Sequence, residues 1–294
     1  MKKHLKLFVI ALMGLFLFTG CGEKELKPVD VLQKVLENTE EITSLTMNAS
    51  IDLKLEQEGT IVEMPITLGV AMQMENDTTG KFKLSLGENP LIGTMDLYLD
   101  KKDTTSTVYM PSSIIAMLMG VEEDKTYWIK EETSETEEDT GLSLDFNLEE
   151  FEQLKDAKLD AVLTDKDLVF VDEEGAVKHY TLNITQDLIN RISKALEIEV
   201  EEDTGAIDSL KIELYIDTDN NRLTKVSIDL LKTVKEIVGD TMDEESGMDL
   251  EGLQKLTLSL SLTGYNTTTV TIPENVIDEA ITSEEYARMF IGEE

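Results

Sequence analysis

The sequence predicts an α+β protein, with one large, curved antiparallel β-sheet (a half-barrel) and a few helices packed on its concave face. Three observations predict this. Apolar residues recur at every second position over long stretches, short polar turns separate those stretches, and helical spacing is confined to brief segments. Period-two alternation marks strands with one wet face and one buried face, the habit of antiparallel sheets rather than of parallel ones.

The strands follow in chain order. The first runs from Leu45 through Met47, Ala49, Ile51 and Leu53 to Leu55, with polar residues between. The second repeats the pattern at Val62, Met64, Ile66, Leu68, Val70, Met72 and Met74. Phe82, Leu84 and Leu86 continue it, and so do Met95, Leu97 and Leu99. Past the midpoint come Tyr180, Leu182 and Ile184, then Leu210, Ile212, Leu214 and Ile216, then Val226, Ile228 and Leu230. Leu256, Leu258, Leu260 and Leu262 close the series, followed by Val270 and Ile272. Gln57-Glu58-Gly59 and Asp219-Asn220-Asn221 supply hairpin turns. Four segments carry helical spacing instead. They are Val31 to Leu36, the stretch Leu148 to Leu154 capped by Asn147 and Glu150, the uncharged run Ser112 to Gly120, and Leu188 to Leu196.

The N-terminus reads as a secretory signal. Lys2, Lys3 and Lys6 precede an unbroken apolar run from Leu7 to Phe18, and Thr19-Gly20-Cys21 follows. A spanning helix needs roughly 20 apolar residues, and this run is shorter. Phe18-Thr19-Gly20-Cys21 resembles a bacterial lipobox, departing from it only in opening with Phe rather than Leu. The resemblance implies diacylglycerol on Cys21 and anchoring on the outer face of the cell membrane. The alternative is ordinary cleavage nearby that leaves a free thiol. Cys21 is the only cysteine, so neither a disulfide framework nor a cysteine-based metal site is available. The expected organisation is therefore a signal peptide over 1–21, a polar tether over 22–28, a single domain over 29–281 and a C-terminal tail over 282–294.

Charge excludes one class of partner. The formal net charge is −35, and removal of Lys2, Lys3 and Lys6 with the signal peptide takes it to −38. Nucleic-acid binding needs a basic footprint, and attraction to anionic headgroups is opposed for the same reason. Only Arg191, Arg222 and Arg288 represent arginine, a composition that hints at an AT-rich, Gram-positive genome.

An anchored cysteine, a polar tether, one helix and then the long alternating strands beginning "SLTMNASIDLKLEQ" together resemble the LolA/LppX-like lipoproteins, in their Gram-positive branch. The hairpin "LYIDTDNNRLTKVSIDL" and the ending "VTIPENVIDEA" add to the likeness. The resemblance covers roughly 29–281 and implies a half-barrel whose concave face holds acyl chains or another apolar ligand.

Particular residues sharpen that expectation. Met47, Met64, Met72, Met74, Met95 and Met110 punctuate the first strands, and methionine suits a cavity that must fit variable chains as well as it fills gaps in a plain core. The expected ligand lining is Met47, Ile51, Met64, Leu68, Met72, Met95 and Leu97; Ile212, in the later strand series, is not assigned to it. Ile114, Ile115 and Leu118 of the uncharged segment make an expected lid, with a plain buried helix as the alternative. Two acidic stretches, around Glu131–Asp145 and Asp240–Glu251, lack the spacing of a calcium loop and read as solvated. Asp217-Thr218-Asp219-Asn220-Asn221 begins like such a loop but lacks its glycine and closing acid. The mature chain has one histidine, His179, on the wet face of a strand. No serine sits in a nucleophile elbow, and Trp128 reads as a packing anchor. The expected function is thus non-enzymatic binding of a lipid or other apolar ligand, with no cofactor and no metal. A filled-core module that binds a protein partner is the first alternative, and an anchored hydrolase using paired carboxylates is the second.

Overall fold

The computed structural model describes residues 27–37, 42–57, 59–76, 78–89, 93–119, 125–134, 159–195, 210–239 and 252–291. Cys21, the helix expected over 148–154 and most of both acidic stretches lie outside them. In chain order the elements are α1 (Pro28–Glu37), β1 (Ser44–Gln57), β2 (Thr60–Asn76), β3 (Thr79–Asn89), β4 (Gly93–Lys102), β5 (Thr105–Pro111), α2 (Ser112–Met119) and β6 (Trp128–Ser134). There follow α3 (Leu159–Val162), β7 (Leu168–Glu174), β8 (Val177–Ile184), α4 (Gln186–Ala195), β9 (Leu210–Asp217), β10 (Arg222–Asp229), α5 (Leu231–Gly239) and β11 (Leu253–Thr263). The chain closes with α6 (Glu274–Glu279), β12 (Ile281–Thr282) and α7 (Ser283–Ile291).

The fold class is α+β, as the alternation predicts. Twelve strands hydrogen-bond in the order β12-β6-β5-β4-β3-β2-β1-β11-β10-β9-β8-β7. The described registers are antiparallel except for the short β12–β6 pair, which is parallel. The chain divides into two compact units: Met1–Glu41, Ala49–Pro65 and Asp145–Leu262 form the first, and Ile42–Asn48, Ile66–Leu144 and Thr263–Glu294 form the second.

In the first unit the apolar phase of β8, β9 and β10 is sealed. Tyr180 lies opposite Leu214, Leu182 opposite Ile212 and Ile184 opposite Leu210. Val226 and Ile228 extend two of these rows. All are buried, with Leu214 at 0% exposure and Ile212 at 1%. The same unit buries the stripes of its helices: Val31, Leu32 and Val35 of α1, Leu159 and Val162 of α3, and Leu188 of α4. Thr185 starts α4 by accepting the Leu188 amide on its hydroxyl, satisfying an otherwise orphaned donor. Arg191 then locks that helix to the loop before β7, donating from Nη2 to Asp167 Oδ1 at 2.8 Å and from Nη1 to the Val162 carbonyl. Thr164 donates both its amide and its hydroxyl to the other Asp167 oxygen, at 2.7 and 2.6 Å. Burial pushes the Asp167 carboxyl up, but these donors and the guanidinium charge outweigh it and hold the group below the ordinary carboxylate range.

The β9–β10 turn shows why its residues are there. Asp217 Oδ1 accepts the Asp219 and Asn220 amides, an Asx-type turn, and buried Asn221 takes φ of 47°, a left-handed conformation that asparagine tolerates. The loop that begins like a calcium site is thus built as a turn. In the second unit, Thr282 and Glu285 form a capping box for α7. The Thr282 amide donates to Glu285 Oε2 at 2.8 Å and the Glu285 amide to Thr282 Oγ1 at 3.2 Å. The helix buries Tyr286, whose ring meets Tyr127 edge-on at 6.2 Å. Of the segment expected as a tail, 282–294, residues 282–291 lie in β12 and α7.

Candidate functional site

The second unit carries an apolar face that is not sealed. Strands β2 to β5 place their alternating residues in register as continuous cross-strand rows. Leu68 faces Leu86, which faces Met95; Val70 faces Leu84, which faces Leu97. A third row runs Met72, Phe82, Leu99 and Val108. None of these ten side chains is buried; every one is of intermediate exposure. Single exposed apolar residues are ordinary on a protein surface, whereas a contiguous apolar patch marks an interaction or ligand site. Met74 closes the set by folding over Gly80, its cross-strand partner, where a Cβ would collide with the methionine sulfur.

Helix α2 sits at one end of this face. It contains no charged residue, and Ser112 and Ala116 are buried where it leaves β5. Ser113 Oγ lies 4.0 Å from Met95 Sδ, which fixes the helix beside the Leu68–Leu86–Met95 row. Ile114 and Ile115 are half-buried and Met117 is 48% exposed; the side chain of Leu118 lies outside the description. Of the expected lining, Leu68, Met72, Met95 and Leu97 come together on this face. Met47 is half-buried on β1, while Ile51 and Met64, in the first unit, are exposed at 36% and 38%.

The opposite face of β4 and β5 holds a second small core that alternation alone does not reveal. Tyr98 and Tyr109 occupy the polar phase of their strands, yet they are buried with Ile272 and Val276, and Trp128 and Ala280 pack against them. Trp128 is thus a packing anchor, its ring 5.9 Å from that of Tyr98. The signal was present as aromatic residues in a phase shared with Asp on β4 and Thr on β5. Beside this core, Asp96 gathers Lys83 Nζ at 2.8 Å and Ser85 Oγ at 2.7 Å. Burial alone would raise the Asp96 carboxyl; the donors and the ammonium charge outweigh it and hold it low. Its hydrogen bond holds the Lys83 ammonium high against its own desolvation. A cavity of about 320 Å³ opens on the same unit, lined by Lys81, Asp100, Lys102, Val270, Ile272 and Ile277 among others. None of the expected lining residues borders it.

His179 lies at a polar cluster in the first unit. Its Nε2 is 2.6 Å from Glu213 Oε2 and its Nδ1 3.3 Å from Asp172 Oδ1. The ring stacks on Tyr215 with centroids 4.4 Å apart and planes 4° from parallel. Thr181 donates to the same Glu213 oxygen, at 2.9 Å. The glutamate serves both groups, so no histidine-activated hydroxyl is formed and the cluster is a brace across β7, β8 and β9. Among the described residues, no group of three or more His, Cys, Asp or Glu side chains is arranged to hold a metal ion, and no helix is long and apolar enough to cross a membrane.

Comparison with known proteins adds solved structures only. No family model matches the chain, and no curated protein matches it. Among solved structures it is similar to LprF from Mycobacterium bovis, at 13% identity over 86% of this chain and 99% of that one, with a TM-score of 0.38. It is also similar to the LolA superfamily protein NE2245 from Nitrosomonas europaea, at 11% identity over 85% and 97%, with a TM-score of 0.22. A putative outer membrane lipoprotein-sorting protein domain from Vibrio parahaemolyticus matches at 8% identity over 85% and 95%, with a TM-score of 0.23. Likeness at this level concerns the fold alone, and no site residue is carried over from it.

Proposed function

We propose that the protein is a lipid-anchored, extracytoplasmic binding protein that performs no catalysis and holds an acyl chain or another apolar ligand against the open face of β2 to β5. The observation that supports this is the exposure of that face. Three cross-strand rows of aliphatic, methionine and phenylalanine side chains stand in register, and water reaches all of them. Covering them with hydrocarbon is favourable by about 25 cal/mol for each Å² removed from water. Two of the ten positions are methionine, Met72 and Met95, whose flexibility suits a ligand of variable shape. In this reading the uncharged α2, whose Ser113 lies beside Met95, folds over a bound chain.

In this reading residues 1–21 are removed as a signal peptide, Cys21 carries the lipid, 22–28 form the tether and 29–281 act as one domain. Native mass spectrometry of residues 22–294, followed by lipid extraction, tests the binding. A stoichiometric co-purifying lipid is expected, and a clean apo mass that takes up no added lipid would overturn the reading. Cys21→Ser is expected to release the protein from the membrane fraction into the medium.

A further inference from the structure

Strand β7 ends the sheet on the side of the first unit. Its outer edge pairs with no described strand, so every second residue presents its N–H and C=O away from β8. From Val169 onward the whole strand is exposed on both faces. Val169, Phe170 and Val171 stand at 41%, 44% and 46% exposure, three consecutive apolar residues at an open edge. Acids follow immediately. The side chains of Asp172 and Glu173 are 73% and 58% exposed, and Glu174 is exposed beside them. Edge strands are usually blunted by charge and bulges, because an open apolar edge pairs with whatever strand arrives. Here the irregularity between Phe170 and Asp172 and the acids supply the blunting, while Val169 and Val171 stay exposed and Phe170 meets the Tyr180 ring edge-on.

Charge decides which strand fits. A second copy, without residues 1–21, would bring a net charge of −38 against −38 and set acidic ends near each other, so self-pairing is opposed. A hydrocarbon surface would leave the edge N–H and C=O groups unsatisfied. An extended segment of another protein, apolar at alternate positions and carrying Lys or Arg, meets all three needs. Its backbone completes the ladder, its apolar side chains cover Val169 and Val171, and its cations face Asp172, Glu173 and Glu174. We infer that the β7 edge is a docking site for an extended cationic segment of a partner protein, added to the sheet as a further strand. The site is separate from the apolar face of the second unit, so it stands or falls independently of lipid binding.

The test uses residues 22–294 and an eight-residue peptide of alternating valine and lysine, with its valine–glutamate counterpart as control. Fluorescence anisotropy at low ionic strength is expected to show saturable binding of the cationic peptide and none of the anionic one. Hydrogen exchange is expected to slow at 168–174 on binding. The variants Val169→Lys/Val171→Lys and Glu173→Lys/Glu174→Lys should each weaken binding at least tenfold; both change exposed positions, and unchanged circular dichroism verifies folding. Equal affinity in the first variant, protection confined to other strands, or no saturable binding would each overturn the assignment.

Discussion

Leu214 on β9 and Leu84 on β3 occupy the same place in the same pattern, each in the apolar phase of an alternating strand flanked by two strands. Leu214 is wholly buried, whereas Leu84 is half open to water. The difference extends to their surroundings. Every cross-strand neighbour of Leu214 named above is sealed, and the first unit also buries the stripes of α1, α3 and α4. In the second unit the rows through Leu84 stay of intermediate exposure, while the buried cluster forms on the other side of the strands, around Tyr98 and Tyr109. One pattern of alternation thus serves two ends, a sealed core in one unit and a partly exposed apolar face in the other.

The largest expected contrast lies in truncation. Leu214→Ala should cost about 2–5 kcal/mol in chemical denaturation, because it removes buried contacts and leaves a cavity. Leu84→Ala should cost less, about 1–2 kcal/mol, since part of that side chain already meets water. Its effect should fall instead on lipid uptake. Equal losses at the two positions would erase the distinction between the units.

The ion pair beneath the first core sharpens the comparison through pH. Arg191→Met leaves buried Asp167 without its cation and should cost about 3 kcal/mol near neutrality. Because the folded carboxyl is held below its unfolded value, the contribution is present above about pH 4 and is lost as pH falls through the lowered value. Denaturation curves of wild type and variant should therefore converge in acid. At the other extreme, burial pushes the Tyr180 phenol up to about 12. Its neutral form stabilises the fold fully below about pH 10, and that contribution disappears as pH rises through the folded value. Tyr180→Phe should remove this alkaline slope in thermal melts.

Much of this was legible in the sequence. Period two located β1 to β4 and β8 to β11 but not β5 to β7, and the alternating Val270 and Ile272 lie outside any strand; the turn at Asp219-Asn220-Asn221 and the helices beginning at Ser112 and Gln186 fell where the composition placed them. Cover was not legible. Alternation states which face is apolar, but burial depends on what packs above it, and Leu68 and Ile212 read identically until the helices are placed. The buried phase of β4 and β5 was equally hidden, because Tyr98 shares its phase with Asp96 and Asp100 and Tyr109 with Thr105 and Thr107, and both owe their burial to Ile272 and Val276, distant in sequence. The brace between His179, Asp172 and Glu213 depends on strand register, which no local spacing encodes.

The smallest effect concerns the end of the second unit. Thr282→Ala removes one half of the α7 capping box and should cost about 1 kcal/mol, visible as faster hydrogen exchange over 283–287 with the first unit unchanged.

The most direct test of the open face is photolabelling with a diazirine-bearing fatty acid, followed by peptide mapping of the cross-links. Labels within residues 68–110, lost on competition with unlabelled lipid and reduced in Leu84→Lys, are the expected result. Labels confined to strands β8 to β10, or spread evenly along the chain, would contradict the assignment of the apolar face of β2 to β5 as the ligand site.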